Sequence, residues 1–265
     1  METDKVFAGP VPQLYDRLLG PILFQPFADA VAERLDKADR AILETAAGTG
    51  IVTRAIAAAL PQSSILATDL NQAMLDVAAD KTRAGNVKWQ QADAQSLSFA
   101  AGSFDVVVCC FGMMFMPDKQ IAYKEALRML RPNGRFIFTV WDSIETNPVM
   151  HVADTIVAGL FPENPPHFLA RTPCGYNDKP RIERELREAG FTSVTIEEVR
   201  RESDVASAGE PAMGLCQGTP LRGEIEACAS DGLVRATAAV DAAMRKRFGD
   251  GSFRTPLQAL LITAA

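Results

Sequence analysis

Apolar positions along the chain keep two alternating rhythms. Short, nearly unbroken apolar runs lie at residues 41–44, 64–69, 106–110 and 135–141, and a more polar strand-like stretch lies at 86–92. Between them, apolar residues recur at helical spacing over 49–60, closed by Pro61, over 71–83 behind Asn71 as an N-cap, and over 118–130. Unbroken apolar runs suit strands buried on both faces of a parallel sheet, and strands alternating with helices predict an α/β, doubly wound core. Downstream, 147–161 reads as a helix, 181–189 as a helix closed by Gly190, 192–200 as a sixth strand and 257–263 as a final apolar run. Residues 162–180 are rich in proline. Residues 203–251 carry little strand character, with a helical stretch at 236–248. Upstream, Ile22, Leu23, Phe27, Val31 and Leu35 recur at helical spacing with Pro21 and Pro26 as punctuation, predicting one or two short helices behind a loose arm at 1–11.

The residues able to do chemistry cluster where these strands end. The first strand ends in Glu44, and a small-residue loop follows, Ala46, Ala47, Gly48, Thr49, Gly50. Glycines in such a turn reach torsions barred to other residues and admit a ligand close to the main chain. The start of the helix behind the loop points backbone N–H groups at a ligand, an arrangement suited to a carboxylate. The second strand ends in Asp69, about 20 residues on, where an acid can accept hydrogen bonds from ribose hydroxyls. The dinucleotide fingerprint Gly-x-Gly-x-x-Gly is not met, because Ile51 or Thr53 stands in its third place. The spacing that fits is acid-x-Gly-x-Gly-x-Gly, as Glu44, Ala46, Gly48, Gly50, with alanine at the first glycine.

That motif resembles the first motif of the class I S-adenosylmethionine (SAM)-dependent methyltransferases, and further tracts follow in the family's order. QQADAQSLSF resembles the Gly-Asp-Ala-x-x-Leu-Pro-Phe motif. SFDVVVCCFG resembles the fourth strand, and LRPNGRFIFTVW the helix, Leu-Arg-Pro-x-Gly turn and fifth strand. The likeness covers Tyr15 to about Trp141 and is nearest to the small-molecule group that includes the ubiquinone/menaquinone C-methyltransferases. It implies a Rossmann-like, mostly parallel seven-stranded sheet, its last strand antiparallel, with a helical cap. N-terminal cap helices would occupy 1–40, the cofactor core 41–143, and the rest of the sheet 144–265 with inserts at 144–180 and 203–251 that cover the methyl, all in one domain.

By the same resemblance, Glu44, Ala46, Gly48 and Gly50 form the cofactor loop and Asp69 takes the ribose, with Leu70 beside it. Met74 packs against the adenine, and Asp93 and Ala94 meet its amino group and a ring nitrogen. Cys110 and Phe111 line the pocket, and Tyr15 approaches the methionine end. The cofactor is SAM, leaving as S-adenosylhomocysteine, with no metal. Its methyl is transferred by in-line displacement to a small-molecule acceptor. His151 and His167 are the only histidines, and with Tyr176 and Trp141 they are the candidates to contact the acceptor; no base is assigned.

Net charge is −6 over 265 residues, with 48% apolar and 23% charged content, so a basic stripe for nucleic acid is not expected. The dense basic cluster Arg245, Lys246, Arg247 reads as a solvated helix face. Five cysteines include no Cys-x-x-Cys pair, which argues for a reducing compartment over a disulfide or zinc framework. The adjacent Cys109 and Cys110 face opposite ways on a strand and read as packing thiols. The N-terminus lacks a signal-peptide pattern and no apolar stretch is long enough to span a bilayer, so a cytoplasmic protein is expected. Nothing in the sequence fixes an oligomeric state. The alternatives left open are a SAM-binding protein without turnover, and methylation of RNA or protein.

Overall fold

The computed structural model describes Phe7 and residues 9–265, so part of the arm expected at 1–11 lies outside the described residues. The strands are β1 (Ala41–Glu44), β2 (Ser64–Asp69), β3 (Val87–Gln91), β4 (Phe104–Cys110), β5 (Leu130–Trp141), β6 (Val194–Val205) and β7 (Phe253–Ala264). The α-helices are α1 (Val11–Leu14), α2 (Gln25–Ala32), α3 (Ile51–Ala59), α4 (Gln72–Lys81), α5 (Lys119–Met129), α6 (Pro148–Leu160), α7 (Phe168–Arg171), α8 (Lys179–Ala189), α9 (Gly209–Gln217), α10 (Leu221–Cys228) and α11 (Gly232–Phe248). The chain divides into two compact units. A sheet unit comprises residues 27–140, 177–199 and 259–265, and a helical unit comprises the segment up to Pro26, residues 141–176 and 200–258.

Among the described residues the seven strands form one sheet in the order β3-β2-β1-β4-β5-β7-β6. The order follows burial. Ile42, Leu43, Val106, Val107 and Val108 on β1 and β4 are buried, as central strands must be. At the edge, β3 carries Lys88, Gln90 and Gln91, which keep an unpaired edge wet. β1 runs parallel to β2 and β4, with Leu43 opposite both Leu66 and Val107, and β2 and β4 run parallel to β3 and β5. Next to β6 and β7, Ser193 and Ala265 exchange both main-chain hydrogen bonds (2.8 and 2.9 Å), the reciprocal pairing of antiparallel neighbours. The last strand thus enters antiparallel, between β5 and β6, as the resemblance implied.

The turn expected at Pro132-Asn133-Gly134 is an interruption within β5. Its ladder with β4 jumps from Leu130 opposite Phe104 to Arg135 opposite Val106, and Asn133 takes φ +67°. A Cβ on Gly134 would lie 2.9 Å from the Asp105 carbonyl oxygen, so the detour needs glycine there. Helix starts follow their caps. Asp118 and Asp178 accept hydrogen bonds from the Ile121 and Arg181 amides (3.1 and 2.9 Å), and Gly190 ends α8 at φ +112°.

In the helical unit, α1 runs into a π-helical segment, Tyr15–Phe24, that the sequence did not signal. The Gln25 amide reaches the Gly20 carbonyl five residues back, and Pro21 lies inside the segment. Gly214 of α9 lets that helix approach the segment, since a Cβ there would fall 2.5 Å from Leu19 Cδ2. α11 packs on α6 and α9. The stretch 203–251 is more regular than expected: β6 continues to Val205, α9 and α10 precede α11, and α11 begins at Gly232. Gly209, Pro211, Gly214, Gly218, Pro220 and Gly223 blur the helical period there, while close packing still supports helix. No helix among the described residues is long and apolar enough to cross a membrane.

Candidate functional site

The carboxyl ends of β1, β2, β3 and β4 lie along one edge of a parallel sheet, the edge at which such sheets bind ligands. β1 delivers Glu44 there, 1% exposed. The loop behind it leaves the strand through three left-handed residues, Ala46 (φ +52°), Gly48 (φ +56°) and Gly50 (φ +77°), the last being the N-cap of α3. Main-chain bonds fix the path: Thr45 N to the Val108 carbonyl at 2.8 Å, Ala47 N to the Thr68 carbonyl at 2.9 Å, and Gly50 N to the Ala47 carbonyl at 2.9 Å.

Each glycine has its own reason. Gly48 has room for a Cβ, which would meet only Met74 Cε at 3.5 Å, so its torsion is what demands glycine. Gly50 has neither room nor an ordinary torsion, as a Cβ would sit 2.7 Å from the Trp89 ring. Ala46 takes the left-handed torsion with a Cβ in place, a strain of about 1–2 kcal/mol. Its methyl is accommodated by Gly112, whose own Cβ would lie 2.5 Å from it. Phe111, at the end of β4, is the second strained residue at this edge (φ +54°). Its amide donates to both the carbonyl and the hydroxyl of Thr139 (3.0 and 3.1 Å), and its ring meets Phe27 edge-on.

Asp69 ties the second strand to the loop. Its Oδ2 accepts from the Gly48 amide and its Oδ1 from the Asn71 amide, both at 2.8 Å. The Asn71 side chain, expected to cap α4, makes no such bond; the Asp69 carboxylate takes the Asn71 amide instead. Burial pushes the Asp69 carboxyl up, and the two amides pull it back. Each carboxylate oxygen keeps a second lone pair for a ligand hydroxyl. Next to it Leu70 is 47% exposed, an apolar side chain held out by its strand end, with its carbonyl taking the Gln91 amide group at 2.8 Å. Met74 is buried. Asp93 and Ala94 are half-buried beyond β3, and Asp93 Oδ1 holds its own turn through the Gln95 amide at 2.9 Å.

The buried edge also holds polar atoms with nothing to bond. Glu44 Oε2 and the hydroxyls of Thr49 and Thr53 have no hydrogen-bond partner among the described residues. Burial pushes the Glu44 carboxyl up to about 8; the Asp69 carboxylate adds to this, while Thr53 and Arg54 oppose it. Orphaned buried polar groups are costly in a native fold and mark a place completed by something else. A buried acid with an unbonded oxygen, faced by the Thr53 side chain, fits the ammonium of an amino-acid tail. The left-handed loop before the start of α3 fits a carboxylate, and Leu70 beside Asp69 fits an adenosyl group. The residues present therefore suit SAM.

Thr49, Thr53 and Thr139 belong to the site and were not singled out from the sequence. The first two flank the start of α3, Thr49 in the loop before it and Thr53 in its first turn. Cys109 and Cys110 are free thiols. Burial pushes Cys109 up to about 12 and raises Cys110, so neither is a thiolate, and Cys110 Sγ lies 3.0 Å from the Thr139 hydroxyl. No group of three or more metal-ligating side chains comes together among the described residues.

Eleven of the expected cofactor residues, Glu44, Ala46, Gly48, Gly50, Asp69, Leu70, Met74, Asp93, Ala94, Cys110 and Phe111, thus belong to the sheet unit. Tyr15 and the acceptor candidates Trp141, His151, His167 and Tyr176 belong to the helical unit. There Tyr15 stacks on Phe24 (4.7 Å between centroids), which leans on Trp141 (6.0 Å). Tyr176 is buried and His151 half-buried. His167 is 51% exposed, and its Nδ1 lies 3.0 Å from Oδ2 of the buried Asp154, whose other oxygen takes the Ala170 amide in α7.

A methyltransferase-domain family profile matches residues 42–134. The chain is 32% identical over 169 residues to a ubiquinone/menaquinone biosynthesis C-methyltransferase, UbiE, of Ectopseudomonas mendocina, covering 58% of this chain and 66% of that protein. It is 30% identical over 174 residues to a demethylmenaquinone methyltransferase of Lactobacillus johnsonii, covering 60% of this chain and 71% of that one. The chain thus spans about two thirds of the length of the curated relatives it matches. Among solved structures, the YcgJ protein of Bacillus subtilis shares the fold at TM-score 0.55 and 20% identity, over 91% of this chain and 96% of that one. A Haemonchus contortus phosphoethanolamine N-methyltransferase 2, solved with S-adenosyl-L-methionine, matches at TM-score 0.58 and 16% identity, over 96% of this chain and 56% of that one.

Proposed function

The chain belongs to the class I SAM-dependent methyltransferases, in the ubiquinone/menaquinone C-methyltransferase-like group, and from that premise we propose that it transfers a methyl group from SAM to a small-molecule acceptor by in-line displacement. The observation that carries the reading is the pair of bonds by which Asp69 holds the Gly48 and Asn71 amides, beside a buried Glu44 oxygen that has no partner. An acid so fixed keeps lone pairs aimed along the strand edge, and an acid so buried calls for a cationic ligand group.

When bound, SAM supplies a methyl group made electrophilic by its sulfonium. The protein's part is recognition and placement. Glu44, with Thr49 and Thr53, holds the amino end of the methionine tail, and the amides at the start of α3 hold its carboxylate. Asp69 takes the ribose hydroxyls. Leu70 and Met74 flank the adenine, Asp93 and the Ala94 amide read its edge, and Cys110 and Phe111 close the wall. Placement alone can lower the barrier by about 7–11 kcal/mol at best. A base is needed only for an acceptor that arrives protonated. Of the candidates, His167 carries the arrangement expected of one, a half-exposed imidazole steered by a buried carboxylate.

For the acceptor we propose a partly apolar small molecule. The names of the two curated relatives make demethylated quinones the first to test. Calorimetric titration with SAM, S-adenosylhomocysteine and NAD tests the cofactor. Binding of both adenosyl ligands, none of NAD, and loss of binding in Asp69→Ala is the expected result; binding of NAD alone would overturn the reading. Methyl transfer from labelled SAM to a demethylmenaquinone analogue then tests the acceptor class.

A further inference from the structure

We propose that Glu44 is a proton switch on donor binding: its side chain is a neutral acid in the free protein and surrenders its proton to solvent when it pairs with the ammonium group of the donor's amino-acid tail. The proposal rests on the cofactor reading above and adds to it a protonation change in the protein itself.

Glu44 ends β1, between β2 and β4, and is 1% exposed. Its Oε2 has no hydrogen-bond partner among the described residues. The charged and titratable groups facing it can be named element by element. β2 brings Asp69, a second carboxyl. β4 brings the thiols of Cys109 and Cys110, and α3 brings Arg54. Arg54 is the one cation among them, and its Nη1 is engaged by the Thr49 carbonyl at 2.8 Å. An anion at Glu44 would therefore sit out of water, beside another carboxyl, with one oxygen unsolvated. Each of these disfavours charge. Burial accordingly pushes the group up to about 8, so the acid form prevails at neutral pH.

An incoming ammonium reverses the balance. It puts a positive charge and N–H donors against the orphaned oxygen, next to the Thr53 side chain that faces Glu44. Carboxylic acid plus ammonium becomes a carboxylate–ammonium pair plus one proton, which leaves to the buffer. The ammonium keeps its own protons and no other bond changes. A donor fragment without the amino-acid tail, such as 5′-methylthioadenosine, offers no such charge and leaves Glu44 protonated.

The test is calorimetric titration of S-adenosylhomocysteine at pH 7.0 in buffers of differing ionisation enthalpy, which counts protons directly. Wild-type protein should release close to one proton per ligand bound and Glu44→Gln close to none. 5′-Methylthioadenosine should bind wild type without release. The wild-type dissociation constant should fall about tenfold per pH unit as pH rises toward about 8 and then level off. This pH series needs no variant, so it stands even where Glu44→Gln folds poorly. Binding without proton release, or equal release by wild type and Glu44→Gln, overturns the proposal and leaves the cofactor reading intact. Failure of any adenosyl ligand to bind overturns both.

Discussion

The two units hold their candidate residues by different means. In the sheet unit, four parallel strands fix the ends of their chains to one another, and main-chain bonds then fix the loop. Glu44, Gly48, Asp69 and Phe111 are each within one residue of such a bond. In the helical unit the candidates sit on separate helices and turns. His167 is placed by one carboxylate, and Tyr15 by stacking on Phe24. A sheet edge thus fixes a common recognition task. Helices packed through glycines hold theirs through fewer main-chain bonds.

Variants can break this contrast. The largest effect is expected from Asp69→Ala, which removes a buried carboxylate from two amides. With charge-assisted bonds worth about 1.5–3 kcal/mol each, adenosyl affinity should fall about 100-fold or more, read by calorimetry. Gly50→Ala comes next. It forces a Cβ against Trp89 at φ +77°, and urea melts should show a loss of about 2–3 kcal/mol. Asp154→Ala in the helical unit should cost about 1–2 kcal/mol by freeing the first turn of α7 and His167, yet leave adenosyl affinity within about twofold. A large loss of affinity there would erase the distinction between the units.

Two smaller effects sharpen it. Glu44 holds a proton in the folded protein up to about 8, whereas its ordinary value is 4.5. The folded state therefore binds more protons than the unfolded chain between those values. Stability from this group is unchanged below about pH 4.5, falls as pH rises from there to about 8, and is flat above. Glu44→Gln should remove that slope in melts across the range. Smallest is Ala46→Gly, which relieves a left-handed alanine but loosens the unfolded chain. A net gain of about 0.5–1 kcal/mol is expected, with binding retained.

Much of the sheet unit was legible because its signals are local. Unbroken apolar runs marked β1, β2 and β4, and acids and glycines marked their ends. The helical unit was legible only in part. Gly214 blurs the helical period, but Leu19 packs where its side chain would be, so α9 forms across it. The π-helical turn of Tyr15–Phe24 had no signal apart from Pro21. Thr139 escaped notice because its role is to receive an amide from the neighbouring strand.

By itself the sequence determined the sheet's alternating architecture, the family, and which acids and glycines stand at the strand ends, since periodicity and spacing are properties of the chain alone. Only the tertiary structure decided that Ala46 is strained and Gly112 makes room for it, that Asp69 is spent partly on the Gly48 amide, and that Glu44 is buried with an oxygen unpaired. Those are statements about neighbours far apart in the chain, and a carboxyl's charge is set by what surrounds it in space.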